Sequence, residues 1–379
     1  MKILCVAGAR PNFMKIAPIM EAFHAHPDID PLLVHTGQHY DERMSNLFFR
    51  ELGIPEPDVN LEVGSASHAV QTAEIMKAFE PVCLQHRPDY VLVVGDVNST
   101  IACGLVAAKL GIKLIHVEAG LRSGDRTMPE EINRLLTDSI SDLLFCTEPS
   151  GVENLRREGI SNGKVHLVGN VMIDTLLKNR AKAEQSTVLE DMGLVPRGYA
   201  TMTLHRPSNV DTPAALGAIL DAVDTIQRDL PIVFPIHPRT CKNVEALGFQ
   251  ARVETMAGLR LVDPLGYLDF LKLNANARFV LTDSGGLQEE TTILRVPCIT
   301  IRENTERPVT CQVGSNQLVG TSTEAILAAY DRIQNGQFDQ AGIPDLWDGQ
   351  AATRIAAVLA TPVEHATVDR RQETGDRDR

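Results

Sequence analysis

The chain has 379 residues, 44% hydrophobic and 22% charged, with a formal net charge of −13. That length is more than one core usually fills, so two domains are expected, and the composition is that of a globular chain, not a disordered or fibrous one. The acidic balance argues against broad binding to nucleic acid or anionic membranes, so an anionic ligand must be held by a few local cations and backbone dipoles.

Short β-branched runs alternate with longer amphipathic ones along the whole chain, the pattern of βα units and parallel sheets. In the first half the strands are predicted at residues 3–7, 32–35, 90–94, 113–117, 143–146 and 165–168. Pro129-Glu-Glu-Ile-Asn-Arg134 opens a helix over 129–140, with a proline at its start and two carboxylates in its first turn. The polar stretch 178–197 leads into Gly198 and reads as linker. A second set of strands is predicted at 200–204, 231–236, 259–262, 278–282 and 297–301, with one helix begun by Thr212-Pro213 and another over 321–333. The expected fold class is α/β, with two Rossmann-like doubly wound domains facing a central cleft. The expected division is 1–175, a linker at 176–198, 199–360, and a polar tail at 361–379 that reads as disordered. Seven scattered cysteines without a C-x-x-C pair read as reduced. The first strand-like run starts at once and no segment reaches transmembrane length, so a cytoplasmic location is expected.

In such folds ligands bind outside the carboxyl ends of the strands, and chemically able residues gather there in this sequence. Gly8-Ala-Arg-Pro-Asn12 follows the first strand, with Lys15 one turn on. Thr36-Gly-Gln-His39, Gly95-Asp96 and Glu118-Ala-Gly-Leu-Arg122 follow later ones, and the second half adds His205-Arg206, His237 and Arg302 to Arg307. The most telling stretch is Leu281-Thr-Asp-Ser-Gly-Gly-Leu-Gln-Glu-Glu290, where an apolar run breaks at small residues and restarts as a helix. Ser284, Gly285 and Gly286 would present bare backbone N–H groups at the positive end of that helix, a seat for a diphosphate. A lone Ser-Gly-Gly is more often an ordinary connection; its company shifts the balance. Glu289 and Glu290 would repel a phosphate, so one of them is expected to turn aside and accept from ribose hydroxyls.

No P-loop, G-x-G-x-x-G, H-E-x-x-H or G-x-S-x-G motif occurs, and no His/Cys/carboxylate spacing points to a metal or other cofactor. The charges fall into two groups. Arg10, Lys15, His205 and Arg307 could hold a diphosphate beside Ser284 to Gly286, while Asp96, Glu118 and Glu130 suit proton transfer. A diphosphate clamp with carboxylates and no metal suggests chemistry on a sugar attached to a nucleoside diphosphate.

These motifs, with Pro129-Glu-Glu-Ile-Asn-Arg134 and Thr305-Glu-Arg-Pro308, resemble those of the non-hydrolysing UDP-N-acetylglucosamine 2-epimerase family from near the start to about residue 330. The resemblance implies a glycosyltransferase-B-type fold, a homodimer, no cofactor, and interconversion of UDP-N-acetylglucosamine with its manno epimer for surface polysaccharide. It implies anti elimination of UDP to 2-acetamidoglucal and re-addition. It places Arg10, His205, Ser284 and Gly286 on the diphosphate, Glu290 on the ribose, and Asp96, Glu118 and Glu130 at C2, with His205 among the catalytic set. Lys15, His39, Arg134, Phe270, Gly285 and Arg307 complete the substrate-binding positions that it implies. Asn12 stands where many bacterial members carry glutamate, Leu265 where some carry glutamine, and the connection 122–129 is short. These departures set the chain apart from bacterial members with a second, activating site. They bring it nearer to archaeal members and to relatives acting on UDP-2,3-diacetamido-2,3-dideoxyglucuronic acid, whose C6 carboxylate would need a further cation such as Arg126 or Arg239. A hydrolysing epimerase, a glycosyltransferase of the same fold and a nucleotide-sugar sensor remain the other readings.

Overall fold

The apolar run Lys2–Ala7 becomes the central strand β1 because its side chains meet packed layers on both faces, and Ile3, Leu4, Cys5 and Ala7 are fully buried. The structure is a computed structural model that describes residues 1–37, 51–54, 56–337 and 341–361. The remaining strands of the first half are β2 (Asp30–His35), β3 (Val59–Asn60), β4 (Tyr90–Val94), β5 (Lys113–Val117), β6 (Leu143–Cys146) and β7 (Val165–Leu167). They form a seven-stranded parallel sheet in the order β3-β2-β1-β4-β5-β6-β7. The second half supplies β8 (Ala200–Thr203), β9 (Ile232–Pro235), β10 (Leu259–Val262), β11 (Val280–Thr282), β12 (Cys298–Thr300) and β13 (Asn316–Leu318). Their order is β10-β9-β8-β11-β12-β13, again parallel.

In each sheet the strand order reverses at one point, between β1 and β4 in the first and between β8 and β11 in the second. Chains leaving two strands in opposite directions open a crevice there. The loops that leave these strands carry Gly8 to Asn12, Gly95-Asp96, His205-Arg206 and Asp283 to Gly286. The α/β architecture with two parallel sheets is therefore as expected, and it puts the motif residues at both switch points. Edge strands β3 and β13, of two and three residues, are additions that no periodicity could reveal.

The last helix, Ala351–Ala360, crosses back onto the first half and packs against the helix Arg10–His24. Its exposed N-terminal donors are met by Asp174, whose carboxylate accepts from the backbone N–H of Ala351 (3.1 Å) and Ala352 (2.8 Å). Just before it, the Trp347 indole N–H donates to the Thr147 carbonyl. Gly169, at φ +90°, lets the chain pass so close to Leu346 that an added Cβ would lie 2.1 Å from its carbonyl oxygen. One apolar cluster consequently runs through both halves, from Phe13 and Phe145 to Leu271, Leu287 and Trp347. The predicted tail beyond residue 361 lies outside the described residues.

Candidate active site

The two switch points face each other across a cleft of about 1220 Å³. On its first-half wall, Asn12 accepts from the backbone N–H of Gly8 (3.2 Å) and Ala9 (2.9 Å) and donates to the Val94 carbonyl (3.1 Å). It thereby ties the loop after β1 to the end of β4. Lys15 and Asp96 line the cleft beyond it. Asp96 pairs with Arg134, which also bonds Glu131 through Nη2 at 2.7 Å. Glu131 in turn accepts from the backbone N–H groups of Ser123 and Gly124, so the first turn of the helix Pro129–Ile140 is locked and Arg134 is aimed at Asp96. Glu130, one residue earlier, lines the cleft half-buried and faces Arg206 electrostatically.

Glu118 lies one layer deeper, 3% exposed, and takes a left-handed backbone conformation, φ 70°, directly after β5. A non-glycine residue held there is strained, and such strain is retained where the surroundings over-determine the position. Here both Glu118 and Ala119 donate backbone N–H groups to the Phe145 carbonyl. Beneath them, buried His116 joins the Asp138 carboxylate (2.6 Å) to the Gly95 carbonyl (2.8 Å). The Glu118 carboxylate meets Lys15 Nζ at 2.5 Å and Arg307 Nη2, from the other half, at 3.8 Å. Burial pushes its carboxyl up, but Lys15 and Arg307 outweigh burial and hold it below the usual range.

On the second-half wall the helix Gly285–Leu294 begins at the cleft. Ser284 occupies its N-cap position without a side-chain capping bond, and a Cβ at Gly286 would meet nothing within 4 Å. The Ser284 N–H, expected bare, is taken by the Thr282 hydroxyl (3.0 Å), while the Ser284 hydroxyl and the N–H groups of Gly285 and Gly286 are open to an anion. Asp283, fully buried, accepts from the backbone N–H of His205 and Arg206 and from the Asn209 amide, and its carboxylate sits 2.8 Å from His205 Nδ1. This fixes the ring and leaves Nε2 for the cleft. Glu290 lines the cleft with Phe270, Leu265 and Tyr267. Burial, then neighbouring Glu289, pushes its carboxyl up to about 8.

Arg307 ties the walls together. It pairs with Glu289 through Nε, approaches Glu118 and Glu306, and burial is outweighed by Glu289 and Glu118, which raise its pKa. Glu306 is held by Arg302 through two bonds of 2.9 and 2.6 Å; burial is overcome and its carboxyl falls to about 2. Arg134 reaches the same Glu306 at 3.9 Å from the opposite half.

Of the residues expected from sequence, Lys15, Asp96, Glu130, Arg134, His205, Phe270, Ser284, Gly285, Gly286, Glu290 and Arg307 line one cleft. Glu118 stands directly behind it. His39 and the side chain of Arg10 lie outside the described residues. Arg239 is exposed and paired with Asp211, and neither it nor Arg126 lines the cleft. Sequence reasoning quoted Asp283, Glu131, Arg302 and Glu306 inside its motifs without giving any of them a role. Asp283 sat inside the quoted motif, and a carboxylate one residue before the anion seat was the available signal. Among the described residues no group of three or more His, Cys, Asp or Glu could hold a metal ion, and no helix is long and apolar enough to cross a membrane.

A family model described as UDP-N-acetylglucosamine 2-epimerase matches residues 21–360. The chain belongs to this family. It is 42% identical over 364 residues to the UDP-N-acetylglucosamine 2-epimerase of Methanocaldococcus jannaschii, covering 95% of this chain and 99% of that one. It is 40% identical over 365 residues to the UDP-2,3-diacetamido-2,3-dideoxy-D-glucuronate 2-epimerase of Pseudomonas aeruginosa, with 95% and 99% covered. The crystal structure of the M. jannaschii epimerase in complex with UDP-GlcNAc and UDP matches with a TM-score of 0.88 at 42% identity, covering 95% of this chain and 99% of that one. The fold is that of the epimerase family, two parallel α/β sheets in the glycosyltransferase-B-like arrangement.

Proposed function

We propose that the chain interconverts UDP-N-acetylglucosamine and UDP-N-acetylmannosamine without hydrolysis. The observation that carries this reading is an open helix start fit for a diphosphate, faced across one cleft by Asp96, Glu130 and, behind Lys15, Glu118. The C2 proton of the sugar is not next to a carbonyl, so a carboxylate cannot take it until C1 becomes electron-poor. Breaking the C1–O bond sends its electron pair to UDP and develops oxocarbenium character at C1. The C2–H pair then forms the C1=C2 bond of 2-acetamidoglucal, and the proton passes to a carboxylate oxygen. Re-addition of UDP, with a proton delivered to the other face of C2, gives the epimer.

In this reading Arg10, His205, the Ser284 hydroxyl and the N–H groups of Gly285 and Gly286 take up the charge that grows on the leaving diphosphate. Preorganised donors of this kind are each worth ~10²- to 10³-fold in rate. Glu290 accepts from the ribose, Phe270 and Leu265 flank the nucleoside, and Asp96, Glu118 and Glu130 carry protons at C2, with Arg134 holding Asp96 in place. The ion pairs that cross between the halves, Arg307 to Glu118 and Arg134 to Glu306, favour a closed cleft that keeps UDP beside the glucal.

The same reaction on the diacetamido uronic acid is the second reading, favoured by the Pseudomonas relative. Against it, Lys15, Arg134, Arg302 and Arg307 are already paired with carboxylates, which leaves Arg206, 4.0 Å from Glu306, as the least engaged cleft arginine among the described residues for a C6 carboxylate. We expect a homodimer; Val70 and Leu84 are exposed on the helix His68–His86, on either side of the exposed Lys77–Glu74 ion pair. A cytoplasmic location fits seven unpaired cysteines, and the net charge of −13 fits a protein that does not bind nucleic acid.

Proton NMR with UDP-N-acetylglucosamine in deuterated water tests the reading. Formation of UDP-N-acetylmannosamine carrying deuterium at C2 is expected. Free N-acetylmannosamine with UDP would assign the hydrolysing reaction instead, and an unchanged spectrum alongside turnover of the diacetamido uronic acid would move the substrate to that sugar.

A further inference from the structure

We propose that Glu289 is a positioning residue that aims Arg307 at Glu118, so that the proton state of Glu118 answers to the charge in the diphosphate seat. The inference rests on the epimerase reading above and adds to it a residue that the mechanism does not use. The geometry centres on one guanidinium with three engaged sides. Its Nε is held by Glu289 Oε1, and its Nη2 lies 3.8 Å from Glu118 Oε2. Its Nη1 lies 3.2 Å from where a Cβ of Gly285 would be, at the first turn of the helix that seats the diphosphate. Glu289 belongs to that same helix, whereas Glu118 follows β5 of the opposite sheet. The contact therefore spans the two halves.

Three buried carboxylate oxygens gather here without a hydrogen-bond partner, Glu118 Oε1, Glu289 Oε2 and Glu148 Oε2. Unpartnered buried carboxylate oxygens are costly and call for a reason, of which a catalytic role is one. Glu118 and Glu289 also respond in opposite directions to shared surroundings. Burial pushes Glu289 up despite Arg307, with Glu118 adding to the rise, while Glu118 is held down by Lys15 and Arg307. Paired groups pushed apart in this way are the pattern of an acid beside a base. The other charges facing the pair are His116 below Glu118, Glu148 beside Glu289, Glu290 next along the helix, and Glu306 against Arg307.

Coupling follows from the shared cation. As the C1–O bond breaks, negative charge builds beside Nη1 and draws on Arg307, which weakens its hold on Glu118. Glu118 becomes more basic at the moment a proton must be taken. Glu289 keeps the guanidinium at the branch point throughout, because its Nε contact competes with neither of the other two sides.

The test is Glu289→Gln, read first without turnover. In protein labelled at the glutamate carboxyl carbon, the Glu118 resonance is assigned by its loss in Glu118→Gln and titrated in both backgrounds. Without the Glu289 charge on Nε the guanidinium is no longer aimed at Glu118, so the Glu118 titration should move to higher pH; a move to lower pH, the effect of losing a neighbouring negative charge alone, would overturn the positioning role. The limb of the kcat profile that depends on this group should move the same way. With the guanidinium misplaced, kcat should fall ~10²-fold with little change in KM or in UDP affinity. Glu289→Asp, which returns the charge at a shorter reach, should give intermediate values. An unmoved Glu118 titration in Glu289→Gln, equal titrations in the Gln and Asp variants, or a loss confined to KM would each overturn the positioning role. A wild-type protein inert toward UDP-N-acetylglucosamine would sink the substrate reading and leave the titration test standing.

Discussion

The most direct consequence of the site's electrostatics concerns Glu290 and the pH dependence of UDP binding. Glu290 is 5% exposed, and burial followed by Glu289 lifts its carboxyl to about 8. If ribose hydroxyls donate to it, the carboxylate is the better acceptor, and binding must draw the ionised form. At pH 7 the group lies about one unit below its midpoint, so ionising it costs ~1.4 kcal/mol, or about tenfold in affinity. UDP affinity should therefore rise about tenfold between pH 7 and 9.5, with nearly one proton released per UDP bound at pH 7. The terminal phosphate, with a second pKa of about 6, is already ionised across that range. Calorimetry in two buffers of different ionisation enthalpy reads both quantities. Glu290→Gln should bind UDP with no such rise, since its amide oxygen accepts without titrating, and the difference between the two proteins removes the contributions of His237, Glu289 and the ligand. The sign extends to stability. A raised carboxyl favours the fold while protonated, so the free protein should lose stability as pH climbs from the ordinary glutamate range through about 8, and saturating UDP should restore it. Equal pH profiles for the wild type and Glu290→Gln, or an affinity that falls with pH, would refute the assignment of Glu290 to the ribose.

Two substitutions separate the seat from the scaffold. Gly286→Ala adds a Cβ with no atom within 4 Å, so the fold should keep or gain stability, by up to ~1 kcal/mol from helix preference, while UDP binding weakens ~10- to 100-fold as the methyl enters the anion seat. Thermal melts with and without UDP distinguish this from a protein in which Gly286 is only a packing residue, where both affinities would match. Lys15→Met leaves buried Glu118 with Arg307 at 3.8 Å as its nearer remaining cation, and removing one partner of a buried pair costs ~3–5 kcal/mol. Urea unfolding should register the loss near neutral pH, and adding Glu118→Gln should recover much of it; a double variant no more stable than Lys15→Met would refute the pairing as the cause. The loss carries a pH sign as well: with Lys15 gone Glu118 is held down chiefly by Arg307, so stability that the pair supplies above the ordinary glutamate range, and gives up as pH falls through the lowered value, should shrink in the variant's profile.

Both sheets, and the positions where ligand chemistry gathers, were legible because each central strand is an apolar run ended by small and charged residues. Gly8 to Asn12, Gly95-Asp96, His205-Arg206 and Ser284 to Gly286 could be placed at strand ends from that pattern alone. The structure adds that these ends are the two switch points, which no single run of sequence states. The last helix, Ala351–Ala360, was less legible, because its anchor is Asp174, 177 residues earlier in the chain, and nothing local marks the pairing. The same limit applies with more consequence inside the site. Glu289 and Glu290 are neighbours on one helix, about 100° apart around its axis; the residues alone said only that one of them must turn from the phosphate, and it was the family resemblance that named Glu290. Which one faces a ribose and which faces Arg307 depends on a guanidinium from residue 307 and a carboxylate from the opposite sheet. A buried carboxylate takes its acidity from such neighbours and not from its own motif. The division of labour proposed for Glu118 and Glu289 thus depends on a contact across the cleft, and opening the two halves should remove the pull of Arg307 on Glu118.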